Sequence, residues 1–246
     1  MRTGHRGPDK IRYDLDGLEI RTSEKMSQLV SRLPLASCDK TLELGCMDGM
    51  VARALAQAGK KAMALDLSRD AFEAMAQQSG VQFVQGDACQ MPLPDACVDL
   101  VYSFAAFEHF DRPEACVSEC RRVLKKGGYL YLSFGPVYTS PFGLHAYREV
   151  PIPYCQYLFK NEDLIEYAKQ NGLRYQWPFV NGFTVTQYQR IWDRFRPDFE
   201  ALYYKEHPTG AVGAELIRRF PQCFKGRVED TDDFFVSAIE LCWRKI

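Results

Sequence analysis

The stretch Thr41-Leu-Glu-Leu-Gly45-Cys-Met47-Asp48-Gly49 reads as a short apolar strand running into a glycine-containing turn, and Gly49 to Ala58 then reads as a helix with Gly59 as its stop. Outward from it the same alternation repeats. Ala62 to Leu65 is a strand ending on Asp66, Ser68 is expected to cap a helix running to about Gln78, and Val81 to Val84 is strand-like. Val98 to Ser103 is a continuous apolar run, as expected of a strand buried on both faces. Pro113, with Asp111 as cap, opens a helix that is expected to close at Lys125-Lys126-Gly127-Gly128 before a strand from Tyr129 to Phe134. Strands alternating with helices at this spacing imply parallel β-α-β units in a sheet covered on both faces, an α/β doubly wound architecture.

The turn after the first strand lets a ligand lie close to the backbone, and its side chains select the ligand. A dinucleotide fingerprint needs G-x-G-x-x-G so that a pyrophosphate meets a helix N-terminus. Here Met47 and Met50 stand at the second and third glycine positions, and Glu43 lies in the strand that leads in. A carboxylate there repels a pyrophosphate and favours a cation. S-adenosylmethionine carries an ammonium and a sulfonium and no phosphate, so the electrostatics point to it. Asp66, at the end of the second strand, is placed to accept hydrogen bonds from a ribose diol, or else simply to cap the next helix.

Glu43 to Gly49 resembles motif I of class I S-adenosylmethionine-dependent methyltransferases, E/D-x-G-x-G-x-G, with Met47 replacing the middle glycine. Gly86-Asp87-Ala88-Cys-Gln-Met91-Pro92-Leu93-Pro94-Asp95 resembles the family's G-D-A-x-x-L-P-F-x-D stretch, which implies that Asp87 and Ala88 contact the adenine. Asp99-Leu-Val-Tyr-Ser103 with Glu108-His109 resembles F-D-x-V-x-S followed by E-H. Glu119 to Gly128 resembles E-x-x-R-V-L-K-P-G-G, with Lys126 in place of proline. The four blocks span Thr41 to Phe134 and are most similar to the type 11 group. The resemblance implies a Rossmann-like, mostly parallel sheet of seven strands. It also implies a cofactor site made of Glu43, Gly45, Cys46, Met47, Gly49, Asp66, Leu67, Asp87, Ala88, Ser103 and Phe104.

After Phe134 the pattern loosens, and the C-terminal third reads as lid insertions within one domain over 1–246. An arm and helix occupy 1–36, the cofactor half 37–134, the lid and helical insertions 135–233, and the final strand 234–246. Asn161 is expected to cap a helix ending at Gly172, followed by a strand near Leu173 to Phe179. Thr184 to Phe220 reads as largely helical, with breaks at Pro197 and Pro208. Its aromatic face, from Tyr188 and Trp192 to Phe199 and Tyr203, suits the core, a substrate pocket or a second copy of the chain in a homodimer. Arg190, Arg194 and Arg196 suit an acidic substrate group or a solvated face.

The loop from Gly135 to Tyr147 must rise over the crevice and is the candidate substrate wall. Methyl transfer needs an aligned nucleophile, excluded water and, for a hydroxyl, a proton acceptor. His145 and His109 are the candidate catalytic residues, each with a plain structural role as its alternative. Tyr138, Tyr147 and Tyr154 line a pocket or pack the lid.

Composition narrows the partners. A net charge of −1 over 246 residues gives no basic stripe for nucleic acid, although Arg2, His5, Arg6, Lys10 and Arg12 make a short basic arm. No apolar run is long enough to span a membrane, and nine scattered cysteines without a C-x-x-C pair fit a reduced, cytoplasmic protein. Cys116 and Cys120 have no histidine near them in sequence, so no metal is expected. The acceptor is expected to be a hydroxyl or amine of a small molecule, glycan or lipid precursor. The alternatives are a catalytically silent binding protein, motivated by Met47, and RNA or protein methylation, of which the near-neutral charge argues against RNA.

Overall fold

The computed structural model describes residues 14–246, so the basic arm lies outside the described residues. Seven strands form one sheet: β1 (Lys40–Leu44), β2 (Lys61–Asp66), β3 (Gln82–Gln85), β4 (Val98–Phe104), β5 (Leu124–Phe134), β6 (Phe199–Pro208) and β7 (Val236–Lys245). Their order is β3-β2-β1-β4-β5-β7-β6. The first five are parallel, while β7 runs antiparallel to β5 and β6 antiparallel to β7. The chain winds from β1 out to β3, then crosses back to β4 beside β1. That reversal is the topological switch point, where doubly wound sheets open a crevice at their carboxyl ends.

Helices cover both faces. They are α1 (Leu15–Arg32), α2 (Met50–Gln57), α3 (Ala74–Gln78), α4 (Pro113–Val123), α5 (Cys155–Leu158), α6 (Asn161–Gln170), α7 (Val185–Phe195), α8 (Ala214–Arg219) and α9 (Pro221–Phe224). Alternate residues of the central strands feed two cores. Tyr102, Phe104 and Tyr131 join Leu29 of α1 and Val51 and Leu55 of α2. Val101, Leu130 and Leu132 join Val117 of α4 and Tyr188, Ile191 and Trp192 of α7. Asp99 ties the start of the sheet together, accepting from the amides of Asp39 and Lys40 and from Lys125 Nζ at 2.7–3.1 Å. Among the described residues no helix is long and apolar enough to cross a membrane, and none of the nine cysteines is in a disulfide.

Several expected elements differ. Ser68 accepts only from the amide of Asp70 in a turn, and α3 starts later, at Ala74. The cap of α4 is Arg112, not Asp111, with no side-chain hydrogen bond. Its last residue, Val123, runs directly into β5, because Leu124 already pairs with Val98 while Gly127 at φ +78° absorbs a register shift. Asn161 is the first residue of α6 rather than its cap. Residues 173–179 form no strand. The sheet edge there is instead taken by Phe199–Pro208, within the stretch expected to be helical, where Leu202 and Tyr204 stay exposed on an edge strand. Pro197 ends the helical run, and the segment beyond it is bounded by Pro208 and rich in β-prone Tyr and Phe.

Candidate functional site

β1 ends in a turn whose backbone is left-handed at Gly45 (φ +64°), Met47 (φ +46°) and Gly49 (φ +71°). A methyl group on Gly45 would lie 2.5 Å from Ala106 Cβ, and one on Gly49 would lie 2.2 Å from the Phe72 ring, so both positions require glycine. Met47 occupies the left-handed position without that freedom, which accounts physically for glycine being the family residue there. Its side chain is 51% exposed and does not plug the turn. The end of β2 clasps the same turn. Leu65 carbonyl accepts from the amides of Gly45 and Cys46, and the Asp66 carboxylate accepts from the Met47 amide at 2.9 Å. Met47 and Leu67, the latter 71% exposed, leave apolar surface beside Asp66.

Glu43 does not rim an open crevice. It is 3% exposed beneath the N-terminus of α2, accepting from the Ala52 amide at 3.1 Å and from the Tyr102 hydroxyl at 3.3 Å. Burial pushes its carboxyl up to about 7, although Lys25 pulls the other way. Burial, then Glu43, Asp66 and Asp48, raises the thiol of Cys46, so three carboxylates act on this one turn. Two cations from α1 answer Asp48 and Glu43, and a third answers Asp87, none visible as site residues in the sequence. Arg21 lies 3.9 Å from Asp48, Lys25 sits 5.4 Å over the Phe104 ring, and Arg112 bonds Asp87 at 2.7 Å. Arg21 and Lys25 are one turn apart on α1, outside every recognisable block.

Asp87 follows closely on the Asp66–Gln85 pairing of β2 and β3, and it also accepts from the Cys89 amide at 2.7 Å. Ala88 is buried. The segment is clamped from behind. Arg122 donates to the carbonyls of Met91 and Leu93 and to Asp95 and Glu119, while Glu119 accepts from the Met91 amide. Two of the sequence blocks thus hold each other in place. The Ser103 side chain, like that of Glu43, does not reach the crevice. It is fully buried, and its hydroxyl donates to the Leu44 carbonyl at 2.9 Å, stitching β4 to β1. Phe104 is buried against Tyr102 and Tyr131.

Beyond β4 and β5 a second group converges. Glu108 is 1% exposed. Burial raises its carboxyl to about 8, against a smaller pull from the amides of Glu108 itself and Gly135, neither of which reaches hydrogen-bond geometry. His109 bonds the Phe179 carbonyl through Nδ1, and His145 bonds the Pro136 carbonyl through Nε2 at 2.8 Å. The rings lie 4.9 Å apart, edge to face. Burial lowers both imidazoles, His145 to about 4.

The remaining candidates are structural. Tyr154 is fully buried in a lid core with Phe224 and Phe234, its hydroxyl donating to the Phe234 carbonyl. Tyr138 packs on Tyr157, and Tyr147 on Phe142. The aromatic face of α7 lies in the main core of its own chain, the first of the three uses that the sequence offered for it. Arg190, Arg194 and Arg196 pair with Glu229, Glu114 and Asp193.

Residues 42–132 match the family model described as "Methyltransferase domain", type 11. Over 119 residues the chain is 33% identical to a malonyl-[acyl-carrier protein] O-methyltransferase from Pectobacterium atrosepticum, covering 48% of this chain and 46% of that one. It is 30% identical to a fatty-acid O-methyltransferase from Mycolicibacterium smegmatis, covering 54% and 50%. The chain thus spans about half the length of these curated relatives. Its fold is similar to that of an S-adenosylmethionine dependent methyltransferase from Mesorhizobium loti, with a TM-score of 0.56 at 15% identity over 92% of this chain and 99% of that one.

Proposed function

We propose that this chain, whose residues 42–132 match a type 11 methyltransferase domain, moves a methyl group from S-adenosylmethionine onto an oxygen of a small-molecule or lipid-type acceptor. The observation that carries the reading is the acidic turn at the switch point, where Asp66 accepts from the Met47 amide and Asp48 from the Met50 amide, above the buried Glu43. Such a site repels phosphates and suits a cation bearing a diol. The residues fit S-adenosylmethionine: Asp66 for the ribose hydroxyls, Asp87 and the Ala88 amide for the adenine edge, and Met47 and Leu67 as apolar cover. Arg21, Lys25 and Arg112 act on Asp48, Glu43 and Asp87, so a cationic ligand would compete with them for those three charges.

When bound, the cofactor supplies a methyl group already activated by a positive sulfur. The chain's own residues have the lighter task of aligning an acceptor and excluding water. The segment 135–233 acts as the lid of a single domain, with small cores of its own around Leu164 and Tyr154. For a hydroxyl acceptor, the proton acceptors on this side are the imidazoles of His109 and His145, both held by backbone carbonyls. Oxygen is preferred to nitrogen as the acceptor atom because both quoted relatives are named O-methyltransferases.

The test is transfer of labelled methyl from S-adenosylmethionine to a panel of fatty acids, acyl-carrier thioesters, phenols, amines and transfer RNA. Label in an oxygen acceptor, and none with the Asp66→Ala protein, is the expected result. Label confined to amines or RNA, or no transfer to any member, contradicts the reading.

A further inference from the structure

Glu108, His109 and His145 come from the loops after β4 and β5, and one donor atom from each lies within 4.8 Å of the others. We propose that these three side chains bind a divalent transition-metal ion of the zinc type. Nothing in this inference rests on the methyl-transfer reading.

The protonation pattern of the rings carries the argument. A backbone carbonyl only accepts hydrogen bonds, so His109 must hold its proton on Nδ1, facing Phe179, and His145 must hold its proton on Nε2, facing Pro136. Each ring is therefore left with one bare nitrogen: Nε2 on His109, 3.9 Å from Glu108 Oε1, and Nδ1 on His145. Metal-ligating histidines are oriented in this way, with the second ring nitrogen donating to a carbonyl so that tautomer and ring angle are fixed.

Glu108 is an independent pointer. Both carboxylate oxygens are buried and have no hydrogen-bond partner, a state that is costly for a polar group unless a cation or an unseen donor completes it. A cation held by the two bare imidazole nitrogens would complete it. His145 sits at φ +59°, a left-handed conformation that a non-glycine residue adopts only when its surroundings hold it there.

The donor set chooses the ion. Two imidazole nitrogens and one carboxylate suit zinc, cobalt, nickel or iron(II), whereas magnesium and calcium take oxygen ligands. Bonds of about 2.0–2.1 Å need donors roughly 3.3 Å apart. Side-chain rotations of about 1 Å would therefore close the present cluster on an ion. Three protein ligands leave a fourth position open, as in catalytic zinc sites. His109, whose side chain is 29% exposed, gives that position access to solvent.

The experiment is calorimetric titration of EDTA-treated full-length protein with Zn2+ and with Co2+, the latter also followed by its visible absorption bands. One equivalent binding with micromolar or tighter affinity is expected, weakened about 100-fold or more in His145→Ala and in Glu108→Gln, with folding checked by circular dichroism. Should Glu108→Gln fail to fold, the half-buried His145 variant decides alone. Binding should survive Cys116→Ser, which separates this site from the scattered thiols. No stoichiometric uptake, uptake unchanged in His145→Ala, or binding of Mg2+ in preference to Zn2+ overturns the proposal.

Discussion

The cofactor half and the C-terminal third are built on different terms. From β1 to β5, local sequence and tertiary structure agree: each strand is a short apolar run, each turn carries its glycine or acid, and the sheet is parallel throughout. From Gly135 to Phe235, α7 joins the main core, and the rest is ordered by small cores such as Tyr154–Phe224–Phe234 and by one edge strand whose pairing is antiparallel and distant in sequence. Repeating β-α-β units announce themselves; insertions held by their own few contacts do not.

The two regions meet at Phe107, whose ring lies 5.0–5.9 Å from those of Phe110, Phe134, Tyr188 and Trp192. It is fully buried between the end of β4 and α7. Phe107→Ala is expected to cost about 3–5 kcal/mol and to uncouple the regions. Hydrogen exchange should then speed up in 135–233 more than in the five parallel strands. Equal acceleration everywhere would mean that the halves form one cooperative unit.

A smaller effect belongs to the cofactor half alone. Glu43 titrates at about 7 in the folded protein against an ordinary 4.5, so the folded state holds this proton more tightly than the unfolded chain does. The stability it contributes is complete below pH 4.5 and is lost as pH rises to about 7, with no further change above that. Glu43→Gln should therefore flatten the fall of Tm between pH 5 and 8. An unchanged slope would place the titrating group elsewhere. A cationic ligand favours the ionised carboxylate, so affinity for S-adenosylmethionine should rise from pH 6 to 8, by at most about tenfold per unit.

The smallest effect is at Met47. Replacing it with glycine removes the left-handed strain of a side-chain-bearing residue, offset by the entropy of a freer unfolded chain, for a net gain of under about 1 kcal/mol. A measurable loss of stability in Met47→Gly would show that the thioether packs usefully.

These tests bear on how much the sequence disclosed. The strand end at Asp66 and the glycine turn were legible as structure because strand ends and left-handed turns constrain residue type locally. Ser103 misled: its position at a strand end suggested the crevice, but side-chain direction sent its hydroxyl to Leu44. Arg21, Lys25 and Arg112 were missed because counter-ions can approach from any element that packs nearby. The Glu108–His109–His145 cluster was hidden in the same way, since His145 lies 36 residues beyond His109 in sequence and only the β4 and β5 loops bring them together. The strand at 199–208 was misread as helix because its aromatic residues satisfied both periods until Pro197 and pairing with β7 decided between them.

One measurement tests the central electrostatic claim most directly: calorimetric titration of the wild-type and Asp66→Ala proteins with S-adenosylhomocysteine. Removing a charge-assisted hydrogen bond to the ribose is worth about 1.5–3 kcal/mol. Micromolar-range binding by the wild type and a loss of about 10- to 100-fold in the variant are predicted, with the variant shown by circular dichroism to be folded at the titration temperature, since Asp66 also accepts from the Met47 amide. Equal affinity in the two proteins, or no binding by either, would contradict the account.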